Sequence, residues 1–248
     1  MNNIQSFSRY EFKFLLNKDK ARLIENESQY FMKFDKNANK NSDYKYFVRS
    51  LYFDDINSSN FYEKVDGMKI RKKYRLRTYS KINNSTNLIF LEMKGRINQR
   101  TYKNRTLINS SDLHIFFDKK KYVNLLDIYG KNNLVINNFL FDTYRKNIFP
   151  RVLIDYKRKP YINQNGLNFR LTFDTEIMSS KTNRLFDNDN LLFWEECKSG
   201  YTVLEVKFER SITPWFHRII QNYNLKRMSI SKFVMGVEQS KIAQETSV

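Results

Sequence analysis

Charged and apolar residues alternate with a period of two along one segment of this chain after another, and this constrains the fold more than any other feature. Arg9, Glu11 and Lys13 share one face of a first segment, with Tyr10, Phe12 and Phe14 on the other. Arg71, Lys73, Arg75 and Arg77 stand opposite Ile70, Tyr74 and Leu76. Glu92 and Lys94 alternate with Leu91 and Met93, and Lys103 and Arg105 follow. Tyr156 and Arg158 end a run begun by Val152 and Ile154. Arg170, Thr172 and Asp174 alternate with Phe169, Leu171 and Phe173; Glu205, Lys207 and Glu209 alternate with Leu204, Val206 and Phe208. A period of two belongs to β-strands, whose side chains point to opposite faces.

One half-buried strand with a wet polar face is ordinary. Seven together make a stronger demand. Their charged faces are of mixed sign and dominated by Arg and Lys, while their apolar faces carry large aromatics that need cover. An α+β fold meets both needs: a closed antiparallel β-barrel with a basic interior, packed outside by helices. The whole chain carries 44 Lys and Arg against 26 Asp and Glu, a net charge of +18. Two like charges 4 Å apart repel by about 4 kcal/mol at an effective dielectric of 20. An interior of clustered cations therefore calls for a polyanion.

Helical spacing predicts a helix over Lys18–Phe34, a second capped by Ser111 or Asp112 and running to about Tyr129, and a third from Asn133 to Lys146. Thr213-Pro214 is a helix start, with Pro at the first helical position. A short last helix is expected over Ser231–Gln239. The rest reads as a single domain over 1–240 with a C-terminal tail over 241–248. Asp54 and Asp55 read as a turn or cap after a strand. His114 and His217 read as exposed helix residues, Cys197, Trp194 and Trp215 as packing residues.

Several function classes are excluded. One Cys and two distant His rule out a disulfide framework and a Cys- or His-rich metal centre. A metal would rest on carboxylates, which suits Mg²⁺ or Mn²⁺. No Gly-rich phosphate loop occurs, so phosphates must be held by side chains. No apolar run is long enough for a transmembrane helix and no signal peptide is evident, so a soluble cytoplasmic protein is expected. Nucleic acid is the disfavoured polyanion, because Glu11, Glu92 and Glu205 share strand faces with the cations and would repel it.

Eight stretches carry a family resemblance: RYEFKFLL (9–16), RSLYFDD (49–55), KYRLRTY (73–79), LEMKGR (91–96), LIDYKRKPY (153–161), NFRLTFD (168–174), VLEVKF (203–208) and SKFVMG (231–236). In this order they resemble the VTC domain, the polyphosphate polymerase domain named after the vacuolar transporter chaperone complex. That domain belongs to the triphosphate tunnel metalloenzymes, alongside the CYTH proteins. The resemblance implies an eight-stranded antiparallel tunnel with basic residues inside, and a catalytic domain standing alone.

It also implies roles. Arg75, Arg77, Lys94, Arg158 and Arg170 match the cations that hold the reacting phosphates. Lys13, Lys103 with Arg105 as its alternative, and Lys232 match further substrate-binding positions, and Lys64 falls where some members have Arg. Glu205 matches the metal ligand for Mn²⁺ or Mg²⁺, with Glu11 and Glu92 as assistants. Some members carry a Lys three residues before Lys232, where this chain has Ser229, with Arg227 the nearby basic residue. The implied reaction moves the γ-phosphate of ATP to a growing polyphosphate chain. The alternatives are a triphosphatase on inorganic or nucleoside triphosphates, if water is the nucleophile, and a module that binds polyphosphate without catalysis. A tunnel open at both ends would favour polymerisation.

Overall fold

The computed structural model describes residues 10–36, 38, 40–98, 100–186 and 192–243, and of Arg100 only the backbone. Arg9 and positions 244–248 of the expected tail lie outside the described residues. In chain order the main strands are β1 (Tyr10–Asn17), β3 (Tyr46–Asp54), β4 (Ile70–Thr78), β5 (Ile89–Ile97), β6 (Arg100–Ile108), β7 (Phe149–Asn163), β8 (Phe169–Lys181) and β10 (Tyr201–Phe208). They form one antiparallel sheet in the order β1-β10-β8-β7-β3-β4-β5-β6. Two short strands join its flanks: β2 (Met32–Phe34) pairs with β7, and β9 (Glu195–Glu196) with β8.

The eight-strand path is present, but the expected closed barrel is not. Among the described residues no backbone ladder joins β1 to β6. The sheet nevertheless curls far round. Six strand spacings separate β1 from β5 along the path, about 29 Å if the sheet were flat. Yet Lys94 of β5 lies 3.4 Å from Glu11 of β1. An ion pair between side chains crosses the seam where a closed barrel has backbone hydrogen bonds.

The register puts the charged residues on one face. Lys13 stands opposite Glu205, Lys207 opposite Arg170, Arg158 opposite Asp174, Lys73 opposite Lys94, and Glu92 between Arg75 and Arg105. This face is concave, as the Lys94–Glu11 contact requires. The aromatic face is convex and roofed by helices. Phe14, Leu204 and Leu171 pack under Ile24 of α1 (Lys18–Ser28) and Phe216 and Ile219 of α5 (Pro214–Asn222). Tyr74, Leu91 and Met93 pack under Phe139 of α4 (Leu134–Lys146), Leu125 of α3 (Asn124–Tyr129) and Phe116.

A third cluster is different. Helix α6 (Lys232–Gln239) lies on the concave side, with Phe233 and Val237 against Val152, Ile154 and Tyr52. Gly236 makes this approach possible: a Cβ there would lie 2.8 Å from Cδ1 of Ile154. Lys232 is thereby carried into the interior, and apolar side chains of α6 cover part of the concave face. Ile242 and Ala243 are buried in the same cluster, so the packed chain runs past the point where a tail was expected.

Two helix expectations need correction. The segment Lys18–Phe34 is helical only to Ser28; Met32–Phe34 becomes an edge strand on β7, and Phe34 stacks on Tyr44 and packs at a tilt against Tyr161. The segment up to Tyr129 breaks into 3-10 turns at Ser110–Phe117 and Lys119–Lys121 before α3. The sequence reading also missed α2 (Ser59–Val65). Asp54 and Asp55 explain it: Asp54 accepts from the amides of Asn60 and Phe61, and Asp55 from that of Ser59. Their carboxylates satisfy orphan donors of the first turn, in the capping role expected. His114 and His217 are exposed and Cys197 is buried, also as expected. Among the described residues no helix is long and apolar enough to cross a membrane.

Candidate phosphate-binding site

The concave face holds two networks built on buried carboxylates. In the first, Asp174 takes both prongs of Arg158, Nε at 2.7 Å and Nη2 at 2.6 Å, and Lys232 Nζ at 2.5 Å. Glu205 accepts from Lys232 at 2.9 Å and Arg158 at 3.3 Å, with Lys13 at 3.5 Å and Lys207 at 3.6 Å. Burial alone would raise these acids, but Lys232, Lys13 and Arg158 outweigh it and hold Glu205 well below the usual carboxylate range. Asp174 is likewise lowered, against its burial, by Arg158 and Lys232.

The second network centres on Glu92. Arg75 reaches it at 2.6 Å, Lys103 at 2.5 Å and Arg77 at 3.6 Å. Arg75 also donates to the Tyr52 hydroxyl at 2.7 Å, and Arg77 to Ser50 and Tyr156 at 3.3 Å. The Tyr156 ring lies 4.8 Å from Lys232 Nζ and 5.3 Å from Arg158 Cζ, so this tyrosine joins the two networks. Asp174, Tyr52, Tyr156 and Ser50 were not singled out from sequence. Asp174 and Tyr156 had a signal there, Asp174 two residues beyond Thr172 on the charged face of β8 and Tyr156 two residues before Arg158 on β7.

Beside these networks opens a cavity of about 460 Å³, walled by β1, α2, β4, β5 and the segment before α6. Eight cationic side chains line it, Lys13, Lys64, Arg71, Lys72, Lys73, Lys94, Arg96 and Arg227, against two carboxylates, Glu11 and Glu63. A second recess of about 610 Å³ shares Lys64, Arg71, Arg96 and Ser229 with it and adds Lys69. Gly95 forms part of the wall, where the Tyr102 ring lies across the chain and leaves no room for a Cβ.

The candidate residues thus fall into groups. Lys13, Lys64 and Lys94 line the cavity. Arg75, Arg77 and Lys103 are gathered on Glu92, and Arg158 and Lys232 on Asp174 and Glu205. Arg170 pairs with Asp35 at 3.1 Å. Arg105 lies over the Phe90 ring at 4.7 Å. Lys64 donates to Ser229 Oγ at 2.7 Å, so an ammonium from α2 occupies the position beside Ser229. Arg227 lies over the Phe12 ring at 4.1 Å.

Among the described residues no three His, Cys, Asp or Glu side chains are grouped to hold a metal. Two carboxylates do converge on one cation position: Lys13 Nζ sits 3.2 Å from Glu11 and 3.5 Å from Glu205. Mg²⁺ is commonly held by one or two carboxylates together with substrate phosphates. Glu11 and Glu205 fit that donor set, with the ammonium of Lys13 standing in for the ion. Glu92 is not part of it.

The profile of the VTC domain matches residues 8–241. The fold is similar to that of a candidate adenylate cyclase from Bacillus halodurans, at TM-score 0.50 and 11% identity over 91% of this chain and 96% of that one. The PH1819 protein from Pyrococcus horikoshii OT3 aligns over 93% of this chain and 98% of its own, at TM-score 0.47 and 15% identity. At these identities the likeness concerns the fold alone. No curated protein matches the sequence.

Proposed function

The chain belongs to the VTC domain family, and from that premise we propose that it is a polyphosphate polymerase that extends a polyphosphate chain with the γ-phosphate of ATP. The supporting observation is the excess of eight cations over two carboxylates around one cavity, continued by the recess that adds Lys69. A single phosphate does not need so extended a basic lining. A chain of phosphates repeats one charge per unit and meets successive cations along it.

In the proposed reaction a terminal oxygen of the chain attacks the γ-phosphorus in line, and the bond from that phosphorus to the bridging oxygen of ADP breaks. ADP leaves with that oxygen and its electron pair. Such transfer depends mainly on positioning and charge neutralisation. Lys94, Lys73 and Lys64 hold phosphate oxygens from three elements of the wall. Arg158 and Arg75 approach from deeper in the channel, oriented by Asp174 and Glu92. A divalent ion, Mn²⁺ or Mg²⁺, held by Glu205 and Glu11 would offset charge on the transferred phosphoryl group.

The test is to incubate pure protein with ATP and Mn²⁺ and to separate the products on a urea gel. Long polyphosphate with release of ADP is expected. Free phosphate alone makes the protein a triphosphatase. ATP left intact, with triphosphate still bound, reduces it to a binding module.

A further inference from the structure

Lys73 differs from the cations of the concave face that are gathered on carboxylates. Those cations are paired with Glu11, Glu92, Asp174, Glu205 or Asp35, as described above. Among the described residues Lys73 has no carboxylate within ion-pair distance. Its Nζ meets only Ser231 Oγ, at 3.3 Å, and otherwise lies over the rings of Phe233 at 5.1 Å and Tyr52 at 5.9 Å. Its cross-strand neighbour is Lys94. It is half-buried in the wall of the 460 Å³ cavity.

Resting on the polyphosphate reading, we infer that Lys73 is a phosphate-binding residue that takes up a proton when the polyanion enters. The groups facing it are nearly all cationic: Lys94 from β5, Arg75 on its own strand, Lys13 from β1 and Lys64 from α2. Of the two acids of the cavity, Glu11 is already held by Lys13 and Lys94, and Glu63 by Lys146. Burial, and then these cations, hold the Lys73 ammonium well below the usual lysine range. A phosphate oxygen in the cavity reverses that balance. The amine binds a proton from the buffer and the ammonium donates to the phosphate; no covalent bond forms or breaks.

The experiment is calorimetric titration of the metal-free protein with tripolyphosphate at pH 8, in HEPES and in Tris at equal ionic strength. The dependence of the measured heat on buffer ionisation enthalpy counts protons exchanged. Changes on tripolyphosphate itself are common to all variants and cancel in the difference. Wild type is expected to take up more protons than Lys73→Arg, whose guanidinium is charged beforehand, by up to one, while Lys73→Arg binds within a few-fold of wild type. Lys73→Met is expected to show the same proton difference and to bind at least tenfold more weakly. It should also melt higher than wild type without ligand, since folding no longer has to strip a proton from this side chain. Equal proton counts in wild type and both variants, with tight binding in all, overturn the role of Lys73 and leave the function standing. Absence of tripolyphosphate binding by the wild type overturns the function and this inference with it.

Discussion

Arg158 grips Asp174 at two points, Nε to Oδ1 at 2.7 Å and Nη2 to Oδ2 at 2.6 Å, with no part of Asp174 open to solvent. Lys232, brought in by α6, closes on the same carboxylate at 2.5 Å. Asp174→Asn leaves two buried cations sharing Glu205 alone. Removing one partner of a buried pair costs about 3–5 kcal/mol. The urea midpoint should fall accordingly, and tripolyphosphate should restore more stability to the variant than it adds to wild type. An unchanged midpoint would mean that Asp174 does not hold this network together.

Acid should unfold the protein through the same carboxylates. Glu92, Asp174 and Glu205 are all held below their ordinary values by the cations that surround them, despite burial. The unfolded chain therefore binds more protons than the folded one in the acid range, and stability rises with pH there. This contribution is complete above the ordinary glutamate value of 4.5 and is lost as pH falls below it toward the depressed values. Melting temperature should drop steeply as pH falls below about 4.5. Glu92→Gln should flatten that drop. A decline of equal steepness in the variant would assign acid sensitivity to other groups.

The period-two alternation made the strands and their charged face legible, because each of Glu11, Lys94 and Glu205 alternates with residues that the convex core needs. Closure was not legible. It depends on whether β1 meets β6 through backbone or is linked to β5 through side chains such as Glu11 and Lys94, and alternation is the same in both cases. The pairing of each cation was hidden for a related reason. Asp35, the partner of Arg170, lies in an irregular stretch just after β2, with no periodic signal. The position of α6 was also obscure: its apolar residues suit either face of a sheet, and only the close contact of Gly236 with Ile154 puts it inside. Lys73 was visible beside Arg75 and Arg77, but its lack of an acid partner is a property of four elements together.

Cations inside and outside the channel should separate in binding. Lys94 lines the cavity and has one partner, Glu11 at 3.4 Å. Lys120 is exposed on the 3-10 turn at Lys119–Lys121. A hydrogen bond to a charged group contributes about 1.5–3 kcal/mol, so Lys94→Ala should weaken tripolyphosphate binding by about 10- to 100-fold. Lys120→Ala should leave affinity unchanged, as an exposed charge acts only through screened attraction. Arg77→Ala should first lower stability, because it strips one cation from buried Glu92. Fluorescence or calorimetric titration of the three variants is the measurement. Equal losses for Lys94→Ala and Lys120→Ala would point to a diffuse basic surface instead of a built channel.

Glu205→Gln should move binding and catalysis in opposite directions. Gln keeps the size of the side chain and removes the charge that Lys13, Lys232, Arg158 and Lys207 share. Metal-free tripolyphosphate affinity should persist or rise, because one negative charge has left an anion site. Mn²⁺ affinity should fall, since a hard divalent ion prefers an anionic oxygen. Turnover of ATP should drop by about 100-fold or more, as metal neutralisation of transition-state charge contributes several kcal/mol. A purely structural Glu205 predicts something else: stability falls and both binding and turnover fall with it. The measurement is tripolyphosphate affinity without metal and Mn²⁺-dependent ATP turnover, side by side for wild type and variant. Should the variant keep the full wild-type rate, Glu205 is not a metal ligand, and the site must be rebuilt around Glu11.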